Sequence, residues 1–272
     1  MPNAPYDREL AAALEATALA GRDLLDRYAR FQAIPDAPAD ISTDADRQAQ
    51  EIILGYLRRA FPDDALCAEE NTATLAQAPR TGPRLWVVDP IDGTRGFARK
   101  NGEFSVMVAL VDRAQIALGV VLEPARERLT YAVRGGGCRR RDGEHAVEHV
   151  CRVSTVAVLA EATLTQSHSR HPGQPSRRVA ALGPARVIET YSAGIKLALV
   201  ARGEADLYLN TYDAFHDWDI CAGHILVTEA GGRVTGLAGE ELLYGRPGAW
   251  QRQGLLASNG LLHEAAVRKM RA

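Results

Sequence analysis

The chain has 272 residues, of which 46% are hydrophobic and 24% charged, a composition typical of a globular protein with room for a large core. Its formal net charge of −2 excludes a general electrostatic attraction to nucleic acid polymers or to anionic membranes. The amino-terminal stretch has no apolar secretory segment, and no later run is long enough to span a bilayer. We therefore expect a cytoplasmic protein whose four scattered cysteines are free thiols.

Two amino-terminal helices are predicted from local patterns. Residues 7–30 carry apolar side chains at helical spacing. After Pro35 and Pro38 break the chain, Ser42-Thr43-Asp44 begins a second helix. The spacing of Thr43 and Asp46 suits a helix cap, which is the simplest role for this acid.

Two short predicted strands then end in acidic residues. Residues 65–68 are followed by Glu69-Glu70, and the polar segment 71–84 is expected to be a mobile loop. The apolar residues 85–88 predict a buried strand. This strand is expected to end at Asp89-Pro90, because proline cannot continue the hydrogen-bonded ladder.

The next segment predicts an antiparallel meander. Turn residues separate three apolar runs, at residues 104–111, 116–122 and 129–133. The triplet Gly135-Gly136-Gly137 ends the meander as a turn, and Arg139-Arg140-Arg141 is expected at a solvated hairpin tip.

The second half of the chain alternates between strands and helices. Short strands are predicted at residues 163–166, 186–189, 206–209, 233–235 and 255–257. Helices are predicted near residues 175–182, 192–202, 219–230 and 260–271. This alternation predicts α/β structure with parallel crossovers. We thus expect an α+β lobe over residues 1–150 and an α/β lobe over residues 151–272.

The segment that follows the strand at residues 85–88 carries the strongest chemical signal. Asp89 and Asp92 place two carboxylates on one tight turn, and Gly93-Thr94 begins a helix. Carboxylates bind hard cations such as Mg²⁺, and the backbone N–H groups of a helix start favour phosphate. The turn is therefore suited to metal-assisted hydrolysis of a phosphate ester.

These features together resemble the inositol monophosphatase superfamily of Mg²⁺-dependent, lithium-sensitive phosphatases. The first motif is Trp86-Val87-Val88-Asp89-Pro90-Ile91-Asp92-Gly93-Thr94, and the upstream pair Glu69-Glu70 matches the acidic pair of the family. The second motif is Trp218-Asp219, followed by Ala222-Gly223 and by Glu229-Ala230-Gly231-Gly232. The resemblance implies a layered αβαβα sandwich of the inositol monophosphatase and fructose-1,6-bisphosphatase type.

The resemblance also implies a role for each matching residue. Glu69, Asp89 and the carbonyl of Ile91 would hold an activating Mg²⁺. A second ion would lie between Asp89, Asp92 and Asp219, and Glu69 could support a third through water. Thr94, paired with Asp46, would orient the attacking water and help to deprotonate it, while the amides of Gly93 and Thr94 grip the phosphate.

Two other classes of protein are weighed against this interpretation. Haloacid dehalogenase-type phosphatases also carry a D-x-D-G-T motif, but Asp89 and Asp92 are separated by two residues rather than one, which changes the face that each carboxylate takes. A non-catalytic binding protein on the same fold is possible, because fold does not determine function. None of the expected acids is replaced, however, and Thr94 is present.

The segments outside the motifs resemble the 3′(2′),5′-bisphosphate nucleotidase branch. Three stretches carry this likeness: Lys100-Asn101-Gly102-Glu103-Phe104-Ser105-Val106, Thr165-Gln166-Ser167-His168-Ser169 and Ser192-Ala193-Gly194-Ile195-Lys196. The likeness implies that Ser167, His168 and Lys196 meet the nucleotide phosphates. The expected substrate is 3′-phosphoadenosine 5′-phosphate, with a nucleoside, sugar or inositol monophosphate as the alternative.

The chain also departs from that branch. Gln166 stands in the place of an arginine, Ala193-Gly194 replace two serines, and a lysine usual upstream of Asp46 is missing. The residues Asp213-Ala214-Phe215-His216-Asp217 are expected to wall the leaving group, with His216 as a substrate contact, although no specific role follows for these two acids and the histidine. A homodimer is possible for this family.

Overall fold

A computed structural model describes residues 5–38, 41–143, 146–169, 176–246 and 248–271. Two helices, α1 (Asp7–Arg30) and α2 (Asp44–Ala60), pack against each other and form the first layer. Both predicted helices are confirmed, and Thr43 with Asp46 forms the expected capping box at the start of α2. Within the described ranges no helix is long and apolar enough to cross a membrane.

A seven-stranded sheet forms the second layer, and its strands follow one another in chain order. The first strand is parallel to the second, and all other neighbours are antiparallel. The strands are β1 (Ala65–Ala68), β2 (Arg84–Asp92), β3 (Ser105–Asp112), β4 (Gln115–Glu123), β5 (Arg128–Val133), β6 (Gly137–Asp142) and β7 (His149–Val150). The predicted meander is thus confirmed, within two residues at each end.

Four predictions for this half were wrong. The strand β2 does not end at Pro90 but continues to Asp92, because its register against β3 shifts between Asp89 and Asp92, and a proline is tolerated at such an irregularity. The meander does not end at the glycine triplet, because Gly137 begins β6, which pairs with β5, and Arg139–Arg141 lie within this strand rather than at a hairpin tip. The expected loop at residues 71–84 contains the short helix α3 (Ala73–Ala76).

A second sheet has five strands: β8 (Thr163–Gln166), β9 (Arg186–Glu189), β10 (Leu207–Asn210), β12 (Arg233–Thr235) and β14 (Leu255–Ser258). Their order across the sheet is β12-β14-β10-β8-β9. The predicted parallel pairing is confirmed for β8 with β9 and β10, but β14 is antiparallel to both of its neighbours. A separate small sheet joins β11 (Phe215–His216) to β13 (Trp250–Gln251).

The remaining helices complete the layers. They are α4 (Thr94–Ala98), α5 (Arg177–Leu182), α6 (Ala193–Ala201), α7 (Asp217–Glu229) and α8 (His263–Arg271). Helices α6 and α7 lie between the two sheets and share one apolar core with both, whereas α5 and α8 pack on the outer face of the second sheet. The layers therefore run α1/α2, first sheet, α6/α7, second sheet, α5/α8, which confirms the αβαβα sandwich.

Alternation along β2 explains how one strand serves two cores. Trp86 and Val88 face the layer of α1 and α2, while Leu85 and Val87 face α6 and α7. All of these side chains are buried, which fixes the register of the strand and therefore the position of the turn that follows it.

Candidate active site

Four acidic segments meet at one edge of the first sheet. Glu69 follows β1, and Asp89 and Asp92 end β2; because these two strands are parallel, their carboxyl ends lie side by side. Asp219 lies in the first turn of α7, and Asp46 lies in the first turn of α2. The structure thus brings together carboxylates that are up to 173 residues apart in the sequence (219 − 46).

Asp89 lies among the other carboxylates of this group and is almost fully buried. Its side chain is buried, and its Oδ1 atom has no hydrogen-bond partner. Burial raises its pKa well above the ordinary value of 3.8, and the negative charges of Glu69, Asp92 and Asp219 raise it further. A buried carboxylate oxygen without a donor, facing other carboxylates, is suited to a cation.

The pKa values of Glu69 and Asp219 are also raised. Burial of its carboxylate raises the pKa of Glu69 to about 8, and the charges of Asp219 and Asp46 add to this effect, although the residue as a whole is exposed. Burial likewise raises the pKa of Asp219 to about 7, although its Oδ2 accepts a hydrogen bond from the His216 N–H at 2.5 Å.

These acids are not arranged as a ready-made metal cage. Among the residues that the structure describes, no three His, Cys, Asp or Glu side chains form a group that could hold a metal ion as they stand. The fit to a metal rests instead on the donor chemistry and on the unpartnered Oδ1 of Asp89, because several carboxylate oxygens are the ligand set that Mg²⁺ prefers.

Asp46 joins the cap of α2 to the turn at residues 89–94. Its Oδ2 accepts hydrogen bonds from the backbone N–H of Thr43 at 2.8 Å and from the Thr43 hydroxyl at 2.6 Å. Its Oδ1 lies 2.9 Å from the Thr94 hydroxyl, which also lies 3.0 Å from the carbonyl oxygen of Ile91. Burial raises the pKa of Asp46, so it accepts a proton more readily than an exposed aspartate would. The two possible roles of Asp46, capping and pairing with Thr94, are therefore filled together.

Gly93 provides the backbone conformation of the turn. Its φ of 86° lies in the left-handed region, and an added Cβ would lie 2.7 Å from the Glu103 carbonyl oxygen and 3.0 Å from the Ser192 nitrogen. Only glycine fits this position without strain. The helix α4 begins at the next residue, Thr94.

Asp92 makes contacts that the sequence did not reveal. Its Oδ1 accepts a hydrogen bond from the Ala193 N–H at 3.0 Å, and its Oδ2 accepts one from the Gly194 N–H at 2.7 Å. The hydroxyls of Ser105, at 3.1 Å, and of Ser192 also donate to Oδ2. Asp92 thus receives the free donors at the start of α6, and its remaining acceptor capacity lies mainly on Oδ1.

Ser167, His168 and Lys196 lie together on the side of α6. The fully buried Lys196 ammonium donates to the Ser167 hydroxyl at 3.0 Å and to the carbonyl oxygens of Thr190 and Tyr191 at 2.9 and 3.0 Å. A ring nitrogen of His168 lies 2.6 Å from a Glu103 carboxylate oxygen. Burial lowers the pKa of Lys196 to about 8.

His216 lies in a different environment, beside Asp219. Its ring stacks on Trp218 with centroids 4.2 Å apart and lies 4.0 Å from the ring of Trp250, which is 45% exposed. The carboxylate of Asp217 is buried and accepts hydrogen bonds from the Gly245 N–H and the Gln251 amide, both at 2.8 Å, so it anchors the chain near β13. Asp213 is exposed and has no hydrogen bond or ion pair within the described ranges.

Two contacts of the site, made by Ser192 and Trp250, were not predicted from the sequence. Ser192 shows the pattern of a helix cap, but nothing local indicates that its hydroxyl reaches Asp92, 100 residues earlier. Trp250 carries no recognisable motif and is brought to His216 only by the pairing of β11 with β13.

The site combines a cluster of carboxylates, suited to metal ions, with a threonine–aspartate pair, on a layered sandwich. Comparison with known proteins identifies the family to which this combination belongs. The profile of the inositol monophosphatase family matches residues 6–272. A fructose-1,6-bisphosphatase/inositol-1-monophosphatase of Thermotoga maritima is 34% identical over 234 residues, which cover 84% of this chain and 82% of the relative. A solved Thermotoga maritima inositol monophosphatase superposes with a TM-score of 0.79 at 30% identity, covering 97% of this chain and 96% of that one.

The chain therefore belongs to the inositol monophosphatase family. Its relatives carry names that refer to different substrates. A histidinol-phosphatase of Mycobacterium tuberculosis is 34% identical over 267 residues, covering 94% of this chain and 96% of the relative. A 3′(2′),5′-bisphosphate nucleotidase of Salmonella typhimurium is 32% identical over 217 residues, which cover 80% of this chain and 82% of the relative. Family membership alone does not choose among these substrates.

Proposed function

We propose that this protein is a Mg²⁺-dependent phosphatase that hydrolyses phosphomonoesters of small metabolites with water as the nucleophile. The observation that carries the proposal is the unpartnered, buried Oδ1 of Asp89, surrounded by the carboxylates of Glu69, Asp92 and Asp219. Glu69, Asp89 and the Ile91 carbonyl would hold one ion, and Asp89, Asp92 and Asp219 a second, with a third supported by Glu69 through water. Bound Mg²⁺ supplies positive charge that offsets the phosphate and makes water easier to deprotonate.

The residues of the chain then have distinct tasks. The amides of Gly93 and Thr94 orient the phosphate, since the left-handed Gly93 turns the backbone at the start of α4. The Thr94 hydroxyl can accept a hydrogen bond from water while it donates its own proton to Asp46, 2.9 Å away. The raised pKa of Asp46 favours this proton transfer.

Mg²⁺-dependent release of phosphate from a substrate panel tests this proposal. The most informative variant is Asp89→Asn, because the buried Oδ1 of this carboxylate has no hydrogen-bond partner, so the change removes charge with little cost to the fold. We expect the rate to fall by about a hundredfold or more. The control is Asp63→Asn, which removes the same charge from an exposed position after α2. Absence of phosphate release from every member of the panel would contradict the proposal and favour a non-catalytic binding protein.

For the substrate, we propose 3′-phosphoadenosine 5′-phosphate, which would be converted to AMP and phosphate. Three segments that resemble the bisphosphate nucleotidases support this choice, and the structure brings residues from all three into contact: Glu103 with His168, and Lys196 with Ser167. Two relatives named 3′(2′),5′-bisphosphate nucleotidase, at 32% and 31% identity, support it further.

Histidinol phosphate is a second candidate. The relatives named histidinol-phosphatase from Mycobacterium tuberculosis and Streptomyces coelicolor align over 94% and 97% of this chain, more than the nucleotidase relatives do. The panel therefore compares 3′-phosphoadenosine 5′-phosphate, histidinol phosphate, adenosine monophosphates, inositol 1-phosphate and fructose 1,6-bisphosphate. If the bisphosphonucleotide is the poorest of these, the nucleotidase assignment is wrong. We also expect inhibition by millimolar lithium and a cytoplasmic location.

A further inference from the structure

Two arginines lie over one aromatic ring directly after the catalytic turn. Arg95 and Arg99 are four residues apart, at α4 and its carboxyl-terminal end. Their guanidinium carbons lie 5.4 and 5.9 Å from the centroid of the Tyr191 ring. The Nε atom of Arg95 is buried and has no hydrogen-bond partner.

The neighbouring acids do not neutralise these arginines. One oxygen of Glu103 accepts the Tyr191 N–H at 3.2 Å and contacts His168 at 2.6 Å. One oxygen of Glu189 accepts bonds from the Gln166 amide at 2.9 Å and the Ser169 N–H at 3.0 Å, and its other oxygen lies 3.6 Å from His168. Neither arginine has an ion pair or a side-chain hydrogen bond anywhere in the described ranges.

Two unpaired cations held against the same ring repel each other unless an anion lies between or beside them. The buried Lys196 adds positive charge beneath the Tyr191 backbone, but protein oxygens occupy its three N–H groups. The guanidinium groups therefore keep the free donors of this region, and a guanidinium suits bidentate binding of phosphate.

We propose that Arg95 and Arg99 bind a second anionic group of the substrate, next to the phosphate that is hydrolysed. The assignment rests on the proposed phosphatase function and names its substrate class as small molecules with two anionic groups. Tyr191 immediately precedes Ser192, whose hydroxyl contacts Asp92. The centroid of the Tyr191 ring lies 4.3 Å from that of the His168 ring. The arginines thus lie between the catalytic turn and the segment that carries Ser167 and His168.

The test compares substrates that differ only in the second phosphate. We would measure kcat/KM for 3′-phosphoadenosine 5′-phosphate and for adenosine 3′-monophosphate with Arg95→Gln, Arg99→Gln and the double variant. For the bisphosphate we expect a loss of about tenfold to a hundredfold for each change, at least about fivefold greater than the loss for the monophosphate. Arg95→Lys should recover part of the activity, because it keeps the charge but not the fork geometry. Arg59→Gln, at the exposed far end of α2, is the matched control.

A binding experiment separates this proposal from the catalytic one. AMP, the proposed product, retains the second phosphate, so the wild-type protein should bind it more tightly than adenosine, and the double variant should lose the difference. Equal losses for both nucleotide substrates, or equal binding of AMP and adenosine by the wild type, would overturn the arginine assignment. If no substrate is hydrolysed but the arginine-dependent preference for AMP persists, the catalytic proposal fails and the anion site stands.

Discussion

Replacing Asp219 by asparagine should stabilise the metal-free protein at alkaline pH while it abolishes catalysis. Burial, with a further contribution from Asp92, raises the pKa of Asp219 from 3.8 to about 7 in the folded protein. The folded state therefore holds this proton more tightly than the unfolded chain does. The resulting contribution to stability is fully present below about pH 4 and is lost as the pH rises through 7.

The expected change in the free energy of unfolding follows from the same two pKa values of Asp219. The full difference in pKa corresponds to an upper limit of about 4 kcal/mol, but the Asp219 side chain is 27% exposed, so solvent screens part of the interaction. We expect Asp219→Asn to raise the free energy of unfolding by about 2 kcal/mol at pH 8 and by less than about 0.5 kcal/mol at pH 4. The asparagine carbonyl can still accept the hydrogen bond from the His216 N–H.

Urea unfolding followed by circular dichroism, in buffer with a chelator, measures the free energy of unfolding of the wild type and of Asp219→Asn at pH 8 and at pH 4. Added Mg²⁺ should stabilise the wild type at pH 8 and the variant much less. Asp213→Asn, at an exposed acid six residues before Asp219, should show neither effect. Destabilisation of Asp219→Asn at pH 8, or an equal gain at both pH values, would refute the electrostatic reasoning.

Three further substitutions probe other parts of the structure. Gly223→Ala should lower the free energy of unfolding, measured by thermal unfolding, by about 2 kcal/mol or more, because the new Cβ would lie 2.4 Å from a Leu197 methyl carbon. Unchanged stability would show that α6 and α7 can move apart freely. Thr94→Val removes the hydroxyl that contacts Asp46 and should lower kcat about a hundredfold with little change in stability, and Thr94→Ser should restore most of the rate. A rate equal to wild type for the valine variant would exclude this proton path. Ser192→Ala removes the cap of α6 and should lower the free energy of unfolding, measured with urea, by about 1–2 kcal/mol. A urea midpoint equal to that of the wild type would contradict this stabilising role of the cap.

Local patterns predicted most helices and strands. The strands at residues 163–166 and 186–189 were predicted to the residue, because their turns and alternation lie in adjacent sequence. The continuation of β2 beyond Pro90 was missed because the irregularity that accommodates the proline depends on β3. The strand β6 was missed because it carries Arg139–Arg141, and charged side chains near a sheet edge resemble a solvated turn.

The acids of the site were predictable, whereas their partners were not. Asp89 and Asp92 share one turn, and Asp46 shows a capping pattern, so each has a local signal. The contacts of Asp92 with Ser192 and of Arg95 with Tyr191 join residues about 100 positions apart. No periodicity or turn rule relates such positions, and only the packing of α6 between the sheets brings them together.

The position of Asp92 limits how this site can change its specificity. Its buried carboxylate receives two backbone N–H groups and the Ser192 hydroxyl from the start of α6, so a shift of α6 would leave these donors without an acceptor. The same shift would move a carboxylate proposed to hold Mg²⁺. If Asp92 holds Mg²⁺ as proposed, catalysis requires that α6 stay fixed against the turn. Differences in substrate must then arise from side chains around this junction, such as Arg95, Tyr191 and His168, and not from movement of the helix itself.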